Sequence, residues 1–145
     1  MKVAKTKLDL TQDEDRHIDE RLRSAPIVWL GSVRPDGRPH LVAVWFLWDG
    51  ETILIFSQPD NQKLRNIAQN ANVTLAVDDS KIGNDAVTVE GKAELLPADS
   101  VDATMPAYAE KYAALLTEMG WSAATMAKSY SQPIRITPTR FRAVS

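Results

Sequence analysis

The chain opens on a segment whose polar pattern is broken by two apolar residues on one helical face. Thr11 and Glu14 have the spacing of a capping box, predicting a helix that opens near residue 12. From Asp13 to Ser24 nearly every residue is polar or charged, but Ile18 and Leu22 stand four apart. That spacing predicts a surface helix with a narrow buried stripe, ended by Pro26.

The period then changes from helical to that of strands. Ile27–Arg34 is apolar and rich in β-formers, Pro35-Asp36-Gly37 has turn chemistry, and Arg38–Trp48 predicts a second strand. The centre of that strand is apolar at every position, which predicts cover on both faces. Asp49-Gly50 is the strongest hairpin signal in the chain, and Glu51–Ser57 predicts a third strand. A loop over Gln58–Gln62 leads to a short helix at Lys63–Asn70. Alternation at Asn72–Asp78 and Asp85–Leu96 predicts two further strands, with Gly91 a bulge candidate. Ser100–Gly120 reads as helical, and a second helical piece runs over Trp121–Tyr130. Pro133–Val144 predicts a last strand, which Pro138 places at an edge or a bulge. Six sequential antiparallel strands with segregated helices make an α+β, mainly β, fold. Short strands and tight turns predict a closed or partly closed barrel. All of it fits one domain over 1–145: helix 11–25, barrel 27–96, helical region 99–130, final strand 133–144.

Composition narrows the chemistry. The 145 residues carry a net charge of −2, which gives no support to non-specific nucleic-acid binding. The absence of cysteine removes disulfides, thiolate metal sites and thiol catalysis, and fits a cytoplasmic protein. The longest apolar run, Leu41–Trp48, is far too short to span a bilayer, and no signal peptide is visible. Serine-hydrolase, P-loop, dinucleotide-fingerprint and metal-spaced histidine motifs are all missing. His17 reads as a surface residue of the charged helix, and His40 opens the second strand. The Asp78-Asp79 pair reads as a turn, with a metal clamp as the alternative.

Three groups of residues remain as candidates. Ser57, Lys63 and Asn66 flank the passage from third strand to short helix, with Asn61 as its expected N-cap. A hydroxyl, an ammonium and the first N–H groups of a helix together suit a phosphate. The alternative is a capped surface helix. Val44, Trp45, Phe46 and Trp48 are either core or the flat wall of a pocket for a planar ring. Arg135, Arg140 and Arg142 on the last strand are either solvated edge charges or contacts to a ligand or a dimer partner.

The order I-V-x-L-G-S-V-x-x-D-G-R-P-H-x-V-x-V-W-F-x-x-D-G, then I-x-I-F-S, K-x-x-N-I and N-V-T-L-A-V resembles a known family. It is similar to the split β-barrel superfamily of flavin- and deazaflavin-dependent oxidoreductases related to pyridoxamine 5′-phosphate oxidase, above all to its small F-420-dependent members. The resemblance runs from about Asp15 to Leu96. It implies a six-stranded antiparallel split barrel of FMN-binding type. It also implies a homodimer with coenzyme F-420, or alternatively FMN, at the subunit interface, and no metal. By position, Ser57, Lys63 and Asn66 match the phosphate loop, Val44, Trp45 and Phe46 line the ring, and Arg140 comes from the second subunit. The implied activity is hydride transfer with a small electron-poor substrate, an enone or quinone, in the direction of reduction. The proton comes from water, His40 or a tyrosine. A pyridoxamine-phosphate-oxidase-like FMN enzyme and a non-catalytic flavin, haem or tetrapyrrole binder are the alternatives. Three departures stand out. The R-x-V-L-L-K pattern is absent from Thr52–Phe56, the C-terminal W-x-x-x-R-L-x-P is missing, and Ala43 stands where many deazaflavin relatives have proline.

Overall fold

The computed structural model describes residues 6–78 and 80–144. Asp79, and with it the Asp78-Asp79 pair, lies outside the described residues, as do the first five residues. The elements are α1 (Asp13–Ser24), β1 (Val28–Val33), β2 (Pro39–Val44), β3 (Leu47–Trp48), β4 (Ile53–Ser57), α2 (Gln62–Gln69), β5 (Asn72–Val77), β6 (Ala86–Leu95), α3 (Val101–Lys111), α4 (Ala113–Met119), α5 (Ala123–Ser129) and β7 (Gln132–Val144).

The fold is α+β, with one antiparallel sheet of seven strands in the order β2-β1-β5-β6-β7-β4-β3. The predicted second strand is two strands, which accounts for seven rather than six. The two halves stand at opposite ends of the sheet, yet only Trp45 and Phe46 separate them in sequence. Two residues span at most about 10 Å from Val44 to Leu47. The sheet must therefore curl until its edges meet, and the split of the barrel falls at Trp45-Phe46.

Alternation sorts side chains between two cores. Val28, Leu30, Ile53, Ile55, Leu75, Val87, Val89, Ile134 and Ile136 fill the barrel interior, closed by Ile18 and Leu22 of α1 and Ile67 of α2. Burying each of these large side chains contributes about 1.5–3 kcal/mol. Leu54 and Phe56 point to the opposite face of β4 and form a second core with Val101, Met105, Tyr108, Tyr112 and Leu116. The strand buried throughout is therefore β4, and β2 is half exposed, with Leu41 at 63%. The apolar run at Leu41–Trp48 predicted two-sided cover, but β2 is a sheet edge, and the helices cover β4 instead.

Local chemistry explains the other boundaries. The capping box does not form: Thr11 Oγ1 donates to Asp9, and the helix starts at Asp13 after Gln12. The Asp49 carboxylate accepts from the N–H groups of Glu51 and Thr52 at 2.8 and 2.7 Å, and Gly50 takes a left-handed φ of 98°. The register shifts between Glu90 and Gly91, so Pro138 sits at a bulge, beyond the stretch of β7 that pairs with β4. A Cβ on Gly91 would lie 2.7 Å from Ile136 Cγ2 and 2.9 Å from the Thr137 carbonyl oxygen, so only glycine fits there. The segment from Ser100 to Gly120 breaks at Tyr112, and Gly120 ends α4 in a Schellman motif. No helix among the described residues is long and apolar enough to cross a membrane.

Candidate functional site

A cavity of about 500 Å³ lies between the β2 edge and the C-terminal helices, within the roughly 300–1,000 Å³ usual for small-molecule sites. One side is Ile27 and Val42–Trp45, and the other is Tyr108, Leu116, Met119, Trp121, Met126 and Tyr130. Gln58, Asn61 and Lys63 close the end where β4 passes into α2. Among the described residues the lining contains one cation, Lys63, and no carboxylate.

Lys63 is half-buried, and burial lowers the pKa of its ammonium. Among the described residues it has no ion-pair or hydrogen-bond partner. The loop before it is shaped from within. Ser57 Oγ donates to the Gln58 carbonyl at 2.7 Å, and Asp60 takes a left-handed φ of 66°. The Arg65 guanidinium donates to the Asp60 carbonyl at 2.7 Å. Asn61 occupies the N-cap position of α2 as expected, but its side chain does not cap the helix. The Leu64 N–H donates to the Asn61 carbonyl at 3.1 Å, which leaves the N–H groups of Gln62 and Lys63 with neither an intrahelical partner nor a side-chain cap.

The structure thus separates the predicted residues. Val44, Trp45 and Lys63 meet at the cavity, whereas Phe46, Ser57 and Asn66 do not line it; Arg140, expected from a second subunit, does not line the cavity of its own chain. Phe46 is fully buried in the barrel core. Its N–H donates to the Tyr112 hydroxyl at 2.9 Å, and its carbonyl accepts from Lys111 Nζ at 2.8 Å. Tyr112 in turn stacks on Trp45, with ring centroids 4.3 Å apart, and donates to the Pro26 carbonyl at 2.6 Å. Burial raises the Tyr112 pKa to about 12 and lowers that of Lys111 to about 8. These two side chains fix the break between β2 and β3, so the Phe46 N–H is not free for a ligand.

Asn66 is fully buried and donates to Ser32 Oγ at 2.9 Å, which locks α2 onto β1. Ser57 is buried as well and serves its own loop. Arg140 faces Glu90 across the β6–β7 ladder at 3.7 Å, and neither Arg135 nor Arg142 lines the cavity. Trp48 is core, its indole N–H donating to Asp19 at 2.9 Å. His17 reaches Asp85 at 2.6 Å. His40 pairs with Ser32 across β1–β2, and burial, Arg34 and Lys63 all lower its pKa. No group of three or more residues fit to hold a metal occurs among the described residues. The whole helical wall, from Tyr108 to Tyr130, escaped the sequence reading. Its signal was the run of aromatics and methionines in α3–α5, which periodicity alone assigns to core.

A profile of the pyridoxamine 5′-phosphate oxidase family matches residues 15–145. The chain belongs to this family of flavin-type oxidoreductases. The match extends past Leu96 to the C-terminus, well beyond the segment that carried the sequence resemblance. Among solved structures, one described as an F420 reductase is 31% identical over 85% of this chain and 94% of its own, with a TM-score of 0.67. A conserved protein of Mycobacterium tuberculosis, 20% identical, shares the fold over 99% of this chain and 90% of its own, with a TM-score of 0.72. General Stress Protein 26 of Bacillus anthracis, 18% identical, does so over 89% and 92%, with a TM-score of 0.66. No protein of curated function matches the sequence.

Proposed function

We propose that the protein is a cytoplasmic reductase that binds coenzyme F-420 in this cavity and passes a hydride from it to a small electron-poor acceptor such as an enone or quinone. The observation that carries the reading is the Lys63 ammonium, held half-buried in the cavity with no anionic partner among the described residues. An unpaired cation in a partly dry site is costly unless a ligand supplies the opposite charge. The similarity to the F420 reductase favours F-420, and FMN is the alternative from the family as a whole.

The residues present fit such a molecule. Lys63, beside the uncapped start of α2, would hold a phosphate. The exposed edge of β2 from Val42 to Trp45 would take the flat ring, and α3–α5 would keep water from its other side. When bound, the cofactor supplies the hydride chemistry, and the chain supplies position and a dry surrounding. Among the described residues the lining holds no imidazole or carboxylate, which leaves solvent or a lining tyrosine as the source of protons. For the same reason a haem in this cavity would find no histidine ligand from this chain.

We further propose that a second copy closes the site. Ile27, Trp29 and Leu41 are 45%, 51% and 63% exposed. Trp29 stands opposite Ala43 and Gly31 opposite Leu41, so the apolar patch runs along the outer face of β1–β2. Ile27 and Ala43 also line the cavity, which makes patch and site continuous.

Titration of the purified protein with F-420 and with FMN, followed by cofactor fluorescence, tests the reading. Saturable binding of F-420, tighter than that of FMN, is expected. Tighter FMN binding would move the protein to the alternative, and no binding of either would end the proposal.

A further inference from the structure

The cavity's deepest surface is apolar except at one point. Phe56, Leu116 and Met126 are at most 5% exposed and carry no polar side-chain atom. Beside them stands Tyr108, 1% exposed, which also lines the cavity. Its ring is fixed on two sides, edge-on to Phe56 at 4.7 Å and tilted against Tyr112 at 5.3 Å. Its hydroxyl makes no hydrogen bond to any described residue. A buried tyrosine hydroxyl ordinarily has a partner, because leaving one unpaired costs the desolvation of the group. While the cavity of about 500 Å³ holds solvent, water serves this hydroxyl, but a molecule that displaces the water must supply an acceptor itself or leave the donor unpaired. In the loaded protein that acceptor belongs to the molecule that fills the cavity.

Burial raises the Tyr108 pKa. The phenol therefore keeps its proton throughout the working range and acts as a donor, not as a base. Tyr108 belongs to the helical wall, and the flat ring is assigned to the β2 wall. A molecule sandwiched between ring and helices is the one that meets the hydroxyl.

We propose that the Tyr108 hydroxyl receives the carbonyl oxygen of the substrate, which restricts the acceptors to compounds whose reducible bond is conjugated to a carbonyl. This rests on the oxidoreductase reading above. The donor is preorganised on a rigid ring, and its hydrogen bond strengthens as negative charge gathers on that oxygen. Other residues of the floor, being apolar, cannot share this role.

The test uses 2-cyclohexen-1-one labelled with carbon-13 at the carbonyl, bound to the protein carrying whichever oxidised cofactor it takes up, so that no turnover occurs. If neither cofactor binds, the oxidoreductase reading falls, and the same measurement is made on the chain alone. The infrared carbonyl stretch of the bound ketone is compared among the wild type, Tyr108→Phe and Tyr130→Phe, the last removing the cavity's other phenol. The expected result is a lowered frequency in the wild type and in Tyr130→Phe, and a return toward the apolar-solvent value in Tyr108→Phe. Ketone affinity should fall roughly 2- to 10-fold in Tyr108→Phe alone, with cofactor affinity and melting temperature kept. An unchanged stretch and affinity in Tyr108→Phe would overturn the proposal. So would a loss of cofactor affinity with ketone binding intact, which would give the hydroxyl to the cofactor ring.

Discussion

Replacing Lys63 with methionine removes one charge from the cavity and keeps most of the apolar stem. A charge-assisted hydrogen bond to a phosphate is worth about 1.5–3 kcal/mol. Lys63 is only half-buried, so water screens part of that, and the lower end of the range applies. The expected loss of affinity for F-420 is about 10- to 30-fold, at about 1.4 kcal/mol per factor of ten. Burial lowers the Lys63 pKa, so in the cofactor-free protein the charge opposes folding. The variant should therefore melt at the same temperature as the wild type or higher. Fluorescence titration at low and high salt checks the binding. Wild-type affinity should fall with salt, and the variant's should fall less. An affinity within about twofold of the wild type would refute the assignment of Lys63 to the anionic tail. A large loss of stability would refute the argument that its charge is unpaired.

Two further predictions concern the fold. Gly91→Ala would place a methyl group 2.7 Å from Ile136 Cγ2 and 2.9 Å from a backbone oxygen, and should destabilise by about 1–3 kcal/mol, read by urea unfolding. For Lys111, a folded pKa of about 8 lies below its ordinary 10.5, so between these values the unfolded chain binds more protons and stability rises with pH. Wild-type stability measured from pH 8 to 10.5 should climb more steeply than that of Lys111→Met.

The strands were legible because each has one face in the barrel, and a period of two survives in Val73–Val77 and Val87–Val89. Gly91, Pro138 and Asp49-Gly50 announced their bulge and turn through steric requirements that few other residues meet. The break at Trp45-Phe46 was invisible in the same string. It is imposed by Tyr112 and Lys111, 65 residues or more away, which take the Phe46 N–H and carbonyl out of the ladder. The site was legible at its polar end and at Val44 and Trp45. Lys63 sits in a recognisable strand-to-helix passage, whereas Ser57 and Asn66 in that passage turned inward to satisfy Gln58 and Ser32. The helical wall could not be read, because a tyrosine in a core and a tyrosine on a cavity floor leave the same mark on helical spacing.

The most direct test is a crystal structure of the protein grown with F-420. The ring should lie against Val42–Trp45, the phosphate within hydrogen-bond distance of Lys63 Nζ, and a second copy over Ile27, Trp29 and Leu41. A cofactor seated elsewhere, with its phosphate on Arg135, Arg140 or Arg142 and the cavity filled only by water, would contradict this placement.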